Sequence, residues 1–107
     1  MLEIELLFGR NIDGDLGVSE EQWTEFLASE ITPRFPQGLS VDDAVGQWRD
    51  VGTKAIVKEP SKEVTLIVPA GAESELKASL EAIVTAYKQR FRQQSVGIVI
   101  KQACVSF

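Results

Sequence analysis

The first residues of the chain alternate between apolar and other positions. Every second residue is apolar, namely Leu2, Ile4, Leu6 and Phe8, and acidic residues stand between the first three. A period of two predicts a β-strand with one buried face. The segment "EVTLIVPA", residues 63–70, is rich in β-branched residues and predicts a second strand. The closing "SVGIVIKQACVSF" has no helical period and predicts a last strand.

Two segments carry apolar residues at helical spacing instead. The first begins with "SEEQ", in which Ser19 stands three residues before Gln22, the spacing of a capping box. It is expected to end at Pro33. The second helix is predicted from the spacing of Leu76, Leu80, Ile83, Val84, Tyr87 and Phe91. Acidic residues in its first turn and basic residues in its last suit the helix dipole.

The middle of the chain predicts a less regular pair of strands. "LSVDDAVGQWRD", residues 39–50, is strand-like, with Gly46 as a candidate bulge. "DVGTK" follows as a hairpin turn and "AIVKE" as a short returning strand, and Pro60 with Ser61 is expected to break the run. Near the start of the chain, "GRNIDGDLG" is a turn cluster.

The predicted order is therefore β-α-β-β-α-β within a single domain of residues 1–107. This is the ferredoxin-like α+β pattern, one antiparallel sheet with both helices on one face. The helix face is expected to carry Leu2, Ile4, Leu6, Val64, Leu66, Val68, Ile98 and Ile100. The open face is expected to be half apolar, which is typical of a surface that meets a second copy or a ligand.

Composition excludes several kinds of chemistry. The chain has no histidine and one cysteine, Cys104, so it has no Ser-His-Asp or Cys-His catalysis, no internal disulfide and no cysteine-based metal cage. We therefore expect no metal and no cofactor. The acidic net charge of -5 and the absence of aromatic residues at the open-face positions of the two central strands argue against nucleic-acid binding. No apolar run is long enough to span a membrane, and no export signal is recognisable, so a cytoplasmic location is expected.

Candidate binding residues fall in the irregular middle of the chain. "TPRFPQG", residues 32–38, is first of all a helix stop and a turn, but its Arg34 is a candidate for binding an anionic ligand. In "GQWR", Trp48 is expected in the core, in an interface or in the wall of a pocket. In "KEPSKE", residues 58–63, a glutamate and a lysine flank the expected break and could form a surface ion pair or an acid–base pair. The predicted ligand-binding rim comprises Arg34, Trp48, Arg49, Glu59 and Lys62.

Several of these segments together resemble a known family. "LLFGR", "VSEEQWTEFLASEITPRFPQGLSVDDAVGQWRD", "IVKEPSKEVTLIV", "IVTAYKQRFRQQSV" and "ACVSF" resemble the bacterial family catalogued as domain of unknown function 3574. The resemblance spans nearly the whole chain. It implies no established activity and no site residues, and it implies that related proteins are often exported or lipid-anchored.

Three functions are compatible with this sequence. We expect a non-enzymatic ligand- or protein-binding module that forms a homodimer through the open sheet face and takes, as one candidate partner, a small anionic ligand. The alternative is a small cofactor-free enzyme of the dimeric α+β barrel type, with Glu59 and Lys62 as acid and base and Tyr87 as a weaker candidate. The third is a structural or regulatory interaction module without a pocket.

Overall fold

A computed structural model describes residues 1–107 and shows six strands and two α-helices. In chain order the elements are β1 (Leu2–Gly9), β2 (Asn11–Ile12), β3 (Asp15–Leu16), α1 (Glu20–Phe26), β4 (Ser40–Arg49), β5 (Ile56–Val68), α2 (Glu73–Phe91) and β6 (Gly97–Gln102). A π-helical turn (Leu27–Ile31) and a 3-10 turn (Thr32–Arg34) continue α1. No helix is both long and apolar enough to cross a lipid bilayer.

The four long strands form one antiparallel sheet in the order β4-β5-β1-β6. β1 lies in the middle and pairs with β5 on one side and with β6 on the other. This strand order, with a helix after β1 and another after β5, confirms the predicted ferredoxin-like α+β fold. The small β2–β3 hairpin is an addition, and it forms where the sequence predicts only a turn cluster.

One face of the sheet, the helix face, is covered by both helices and carries the core. Side chains at even positions of β1 and β5 point to this face, and those from Ile4 to Phe8 in β1 and from Lys62 to Leu66 in β5 are buried together with apolar residues of α1 and α2. At its centre five aromatic rings contact one another at centroid distances from 4.8 to 6.3 Å, in mostly edge-to-face geometry: Phe8, Trp23, Phe26, Tyr87 and Phe91. The predicted capping box at Ser19 is present and starts α1 above this cluster.

The predicted break at Pro60 is wrong, because β5 runs through it without interruption. Proline has no N–H to donate, so a break was expected there. In the fold, the Pro60 carbonyl accepts from the Arg10 N–H at 3.0 Å, just beyond the end of β1. If residue 60 had an N–H, that group would donate to the Arg10 carbonyl. Here the Arg10 carbonyl accepts instead from the backbone N–H groups of Gly17 and Val18. The two residues that follow the β2–β3 hairpin therefore supply the hydrogen bonds that the Arg10 carbonyl cannot receive from Pro60.

The last strand differs from the prediction in its burial. Ile98 and Ile100 are paired with Leu6 and Ile4, and they do face the helix side. However, they remain 42% and 51% exposed, because β6 is an edge strand that the helices do not cover. Val99, on the other face, is also exposed. The core is thus centred on β1 and β5, and β6 contributes little to it.

A single hydrogen bond links α2 to the end of the central strand. Tyr87 is buried, and its hydroxyl donates to the Gly9 carbonyl at 2.5 Å. Burial raises the pKa of the Tyr87 phenol well above its ordinary value; the charge of Glu59 acts in the same direction and that of Arg10 opposes it. The phenol therefore stays protonated and keeps its donor wherever the protein is folded.

We expect the Tyr87→Phe variant to be less stable than the parent by about 1 kcal/mol near neutral pH, since it loses this hydrogen bond. Above about pH 10 the unfolded phenol loses its proton while the native one keeps it, so the parent loses stability as pH rises and the variant loses less. Urea unfolding at several pH values measures both effects. Tyr87 is the only tyrosine, so tyrosinate absorbance reports it directly. A native phenol that titrates near its ordinary pKa would contradict this account.

Candidate functional site

A groove of about 760 Å³ lies on the sheet face opposite the helices, the open face. Its floor is made of open-face positions on neighbouring strands, most of them small: Leu7, Gly9, Ala44, Gly46, Ser61 and Gly97. Because these side chains are short, a ligand on this floor would lie close to the backbone of the sheet. We call this recess the open-face groove.

A single hydrogen bond holds the Glu59 side chain in the open-face groove. Its Oε2 accepts a hydrogen bond from the Asn11 backbone N–H at 2.9 Å, while no protein group donates to its Oε1. The carboxylate lies over Gly9, where an added Cβ would stand only 2.7 Å from Oε2. Opposite Glu59 on β4 is Gly46, which also has no side chain to cover it. Glycine on both sides therefore leaves one carboxylate oxygen free to meet a ligand.

Two connected segments form one wall of the open-face groove. They are the β2–β3 hairpin and the segment that follows α2, residues 92–95. The Gln93 side-chain amide donates to the Asn11 carbonyl at 2.8 Å, and the Arg92 guanidinium lies 3.7 Å from the Asp13 carboxylate. The hydrogen bonds at Asn11 thus join this wall to Glu59 on the floor.

The structure brings two of the five predicted rim residues into the open-face groove. Glu59 lies on its floor, and Trp48 lies on β4 beside it, with its side chain half exposed. Trp48 is paired across the strands with Val57, and both line the groove. Whether either residue binds a ligand stays a prediction.

Lys62 lies on the other side of the sheet from Glu59. It is paired with Phe8 and is buried at the edge of the helix face. Its ammonium group donates to the carboxylates of Glu20 at 2.9 Å and Asp43 at 2.5 Å. Because β5 continues through Pro60, side chains three positions apart point to opposite faces. Glu59 and Lys62 therefore do not meet, and the fold does not assemble them into one acid–base pair.

The partners of Lys62 form a balanced cluster of charges that ties α1 to the sheet. Arg10, also buried, lies 3.1 Å from Glu20 and donates to the Val18 carbonyl. Burial alone would lower the pKa of Lys62, but its hydrogen bonds with Asp43 and Glu20 outweigh this and raise it. The same hydrogen bond lowers the pKa of Asp43. Two basic and two acidic side chains are thus paired with one another, which is the arrangement of a structural cluster.

The remaining two rim residues lie outside the open-face groove. The Arg34 guanidinium donates to the Glu30 carbonyl at 2.7 Å and to the Glu30 carboxylate at 3.0 Å, so it caps the end of the helical segment. Arg49 donates to the Lys54 carbonyl at 3.3 Å and stabilises the turn between β4 and β5. The five residues consequently do not form one rim.

Several groove residues were not among the sequence-based candidates. Glu63 lies on the same face as Glu59, four positions along the strand, and strand alternation alone indicates this. Asn11, Arg92 and Gln93 carry no such signal, because they reach the groove only through the tertiary fold. No group of three or more metal-ligating side chains lies close enough together to hold a metal ion.

One protein family matches this chain over nearly its whole length. The family model described as "Protein of unknown function (DUF3574)" matches residues 3–107. The chain belongs to the DUF3574 family. This confirms the resemblance drawn from the sequence and extends it over essentially the whole chain. No protein with a curated function matches the sequence.

Two solved structures share the fold of this DUF3574 protein. A phage SAM lyase in complex with S-methyl-5'-thioadenosine superposes with a TM-score of 0.70 at 18% identity, covering 94% of this chain and 80% of the lyase chain. A phage SAM lyase in the apo state superposes with a TM-score of 0.68 at 18% identity, covering 94% of this chain and 78% of the lyase chain. At this identity the comparison establishes the fold.

The comparison also corrects the expected function. The sequence analysis favours a non-enzymatic ligand- or protein-binding module, and that expectation is contradicted, because the similar structures are those of an enzyme. The sequence pattern could not indicate this, since it contains no histidine and no recognisable catalytic motif. The enzyme alternative is better supported than the main expectation.

The geometry around Glu59 gives a direct test. In the Gly9→Ala variant the new Cβ would displace the Glu59 carboxylate, which is the far end of a flexible side chain, and the hydrogen bond from the Asn11 N–H would be lost. We expect the Asn11 amide to exchange with solvent about tenfold faster, measured by NMR hydrogen exchange. Gly46→Ala is the matched control, since its Cβ would make only ordinary contact at 3.8 Å. Equal protection of Asn11 in both variants would contradict this placement of Glu59.

Proposed function

We propose that this protein is a lyase that binds S-adenosylmethionine, or a closely related sulfonium nucleoside, in the open-face groove and releases S-methyl-5'-thioadenosine. The observation that carries the proposal is the position of the Glu59 carboxylate on the floor of this groove, in a fold shared with a SAM lyase.

The charge of the open-face groove suits a positively charged sulfur. Its lining contains three carboxylates, Asp13, Glu59 and Glu63, and one cation, Arg92. Glu59 is fixed through one oxygen and offers the other to the groove. A sulfonium group carries a full positive charge and no hydrogen-bond donor, so it is attracted to a carboxylate by charge alone. This is the reason for placing the sulfur of the substrate next to Glu59.

Trp48 offers a surface for the adenine ring. Its side chain is 49% exposed and stands at the β4 side of the groove, next to Val57. Stacking of a base on an aromatic ring contributes roughly 1–3 kcal/mol per base. The other tryptophan, Trp23, is buried in the aromatic cluster and cannot serve in this way.

The chemistry follows from the product. S-methyl-5'-thioadenosine keeps the methyl and adenosyl groups, so the bond that breaks joins the sulfur to Cγ of the aminobutyrate chain. Both electrons of this bond go to sulfur, and the sulfonium becomes a neutral thioether. Cγ can be captured by the substrate's own carboxylate to give a lactone. Alternatively, a base can remove a proton from Cβ to give an unsaturated amino acid, and Glu59 is then the candidate base.

Glu59 has a different role in each of the two routes. In the lactone route the positive charge on sulfur disappears as the bond breaks, so a carboxylate beside it stabilises the bound substrate at least as much as the transition state. Glu59 then contributes to binding and little to the rate of the chemical step. In the elimination route Glu59 takes the proton itself, and its loss must lower the rate of that step.

We expect the purified protein to convert S-adenosylmethionine to S-methyl-5'-thioadenosine, detected by liquid chromatography with mass spectrometry. The Glu59→Gln variant should lose about 10–100-fold in kcat/KM, since a charge-assisted contact in the groove is removed. A rise in KM alone with a lactone product indicates the first route. A fall in kcat with an unsaturated product indicates the second.

Glu3→Gln is the matched control for this experiment. Glu3 lies on the same open face but outside the groove, near Lys101, and its replacement also removes one negative charge. The control should behave like the parent enzyme. If the parent neither forms S-methyl-5'-thioadenosine nor binds it, the proposed function is refuted.

A homodimer through the open sheet face stays a separate prediction, as does a cytoplasmic location. Leu7, on the groove floor, and Val99 are exposed apolar residues on that face, and they support contact with a second copy there. Native mass spectrometry measures the oligomeric state. We expect a dimer for the parent and a larger monomer fraction for Val99→Lys; a parent that is monomeric at micromolar concentration would refute the dimer. The expected small anionic ligand also remains untested.

A further inference from the structure

One end of the open-face groove differs in charge from the rest. Arg92 is the only cation among the lining residues, whereas the floor carries Glu59 and Glu63. The strand order β4-β5-β1-β6 separates the three polar regions. Trp48 lies on β4, Glu59 on β5, and Arg92 in the segment before β6. The groove lining therefore contains an aromatic ring, a carboxylate and a guanidinium, each supplied by a different part of the fold.

The backbone of Arg92 is fixed at this end of the open-face groove, but its side chain makes only one weak ion pair. The guanidinium is 3.7 Å from Asp13, and the arginine side chain is 71% exposed. An exposed ion pair at this distance contributes little and exchanges readily for another anion. Next to it, Gln93 is fixed to Asn11 by a hydrogen bond. The segment is thus anchored, while the arginine head remains free to contact a ligand.

The backbone of Arg92 adds a second observation. It ends α2 in the left-handed region with φ of 51°, a position that favours glycine. Asp13, the residue facing it, also has a positive φ of 52°. Side chains in this conformation are unfavourable in themselves and are concentrated at functional sites. Arg92 and Asp13 both line the groove, whereas the third non-glycine residue with a positive φ, Lys54, lies in the turn between β4 and β5 and outside the groove.

We infer that Arg92 binds the carboxylate of the amino-acid end of the substrate and so fixes the orientation of the substrate in the open-face groove. The inference rests on the proposed function. With the adenine at Trp48 and the sulfonium at Glu59, the aminobutyrate chain extends across β1 toward Arg92. A guanidinium pairs with a carboxylate through two parallel hydrogen bonds. Arg92 is thus a residue that selects ligands with an amino-acid tail over ligands without one.

The test compares three ligands that the enzyme does not cleave. S-adenosylhomocysteine has the carboxylate, its decarboxylated analogue lacks only that group, and S-methyl-5'-thioadenosine lacks the whole tail. Binding is measured by calorimetry on the parent, on Arg92→Gly and on Arg92→Lys. We expect Arg92→Gly to bind S-adenosylhomocysteine at least about tenfold more weakly, with unchanged affinity for the other two ligands. Arg92→Lys should recover part of the loss.

Thermal unfolding of the same variants separates binding from folding. Glycine is favoured at this backbone conformation, so Arg92→Gly should unfold at the same or a higher temperature than the parent. A loss of affinity for the carboxylate-bearing ligand in a protein that is no less stable supports the inference. Equal loss for all three ligands, or no loss for any, overturns it.

The outcomes also separate this inference from the proposed function. If the parent binds S-methyl-5'-thioadenosine but does not distinguish S-adenosylhomocysteine from its decarboxylated analogue, only the role of Arg92 is refuted. If the parent cleaves S-adenosylmethionine but binds none of the three, only the role of Arg92 is refuted. If it binds none of the three and forms no S-methyl-5'-thioadenosine from S-adenosylmethionine, the proposed function and this inference both fail.

Discussion

The antiparallel pairing of β1 with β5 is the constraint on which the rest of this protein depends. Its register decides which side chains enter the core and which line the open-face groove. With Leu6 opposite Val64, both are buried, and Gly9 and Ser61 meet on the groove floor. A shift of one residue would turn Glu59 toward the helices and bring Lys62 to the groove. The aromatic cluster and the candidate site are therefore two results of one strand register.

Two groups of polar contacts keep that register where the helices meet the sheet. Tyr87 ties α2 to Gly9, and the buried Lys62 ties β5 to α1 through Glu20. Both are satisfied within the fold, and neither enters the groove. Gly9 has two roles. Its carbonyl accepts the hydrogen bond from Tyr87, and its lack of a side chain leaves room for the Glu59 carboxylate. The core and the groove are thus coupled at a single residue.

The sequence predicts the fold more completely than the site, and particular residues explain why. Strand alternation in β1 and helical spacing in α2 depend on local periodicity, and both predictions are confirmed. The continuity of β5 through Pro60 depends on the β2–β3 hairpin, a distant contact that no local pattern contains. For the same reason Glu59 and Lys62 looked adjacent in the sequence yet lie on opposite faces.

Arg92 and Asn11 show the limit of such reasoning at the site. Each lies outside any periodic segment, and each reaches the groove because α2 and the hairpin end there. Glu63 could have been placed from its spacing to Glu59, whereas these two could not. The enzyme interpretation likewise came from comparison of folds, since the residues at the groove form no catalytic motif that a sequence shows.

The central position of β1 also determines the order in which this chain can fold. Leu2 pairs with Gln102, so that one contact closes a loop of 100 residues. Long-range closures of this kind are slow, because the chain loses entropy before the contact forms. During synthesis from the N-terminus, one edge of β1 has no neighbour until β6 has been made. In that interval its unpaired backbone is a template for association with other chains, and pairing with β5 and coverage by the helices limit the exposure.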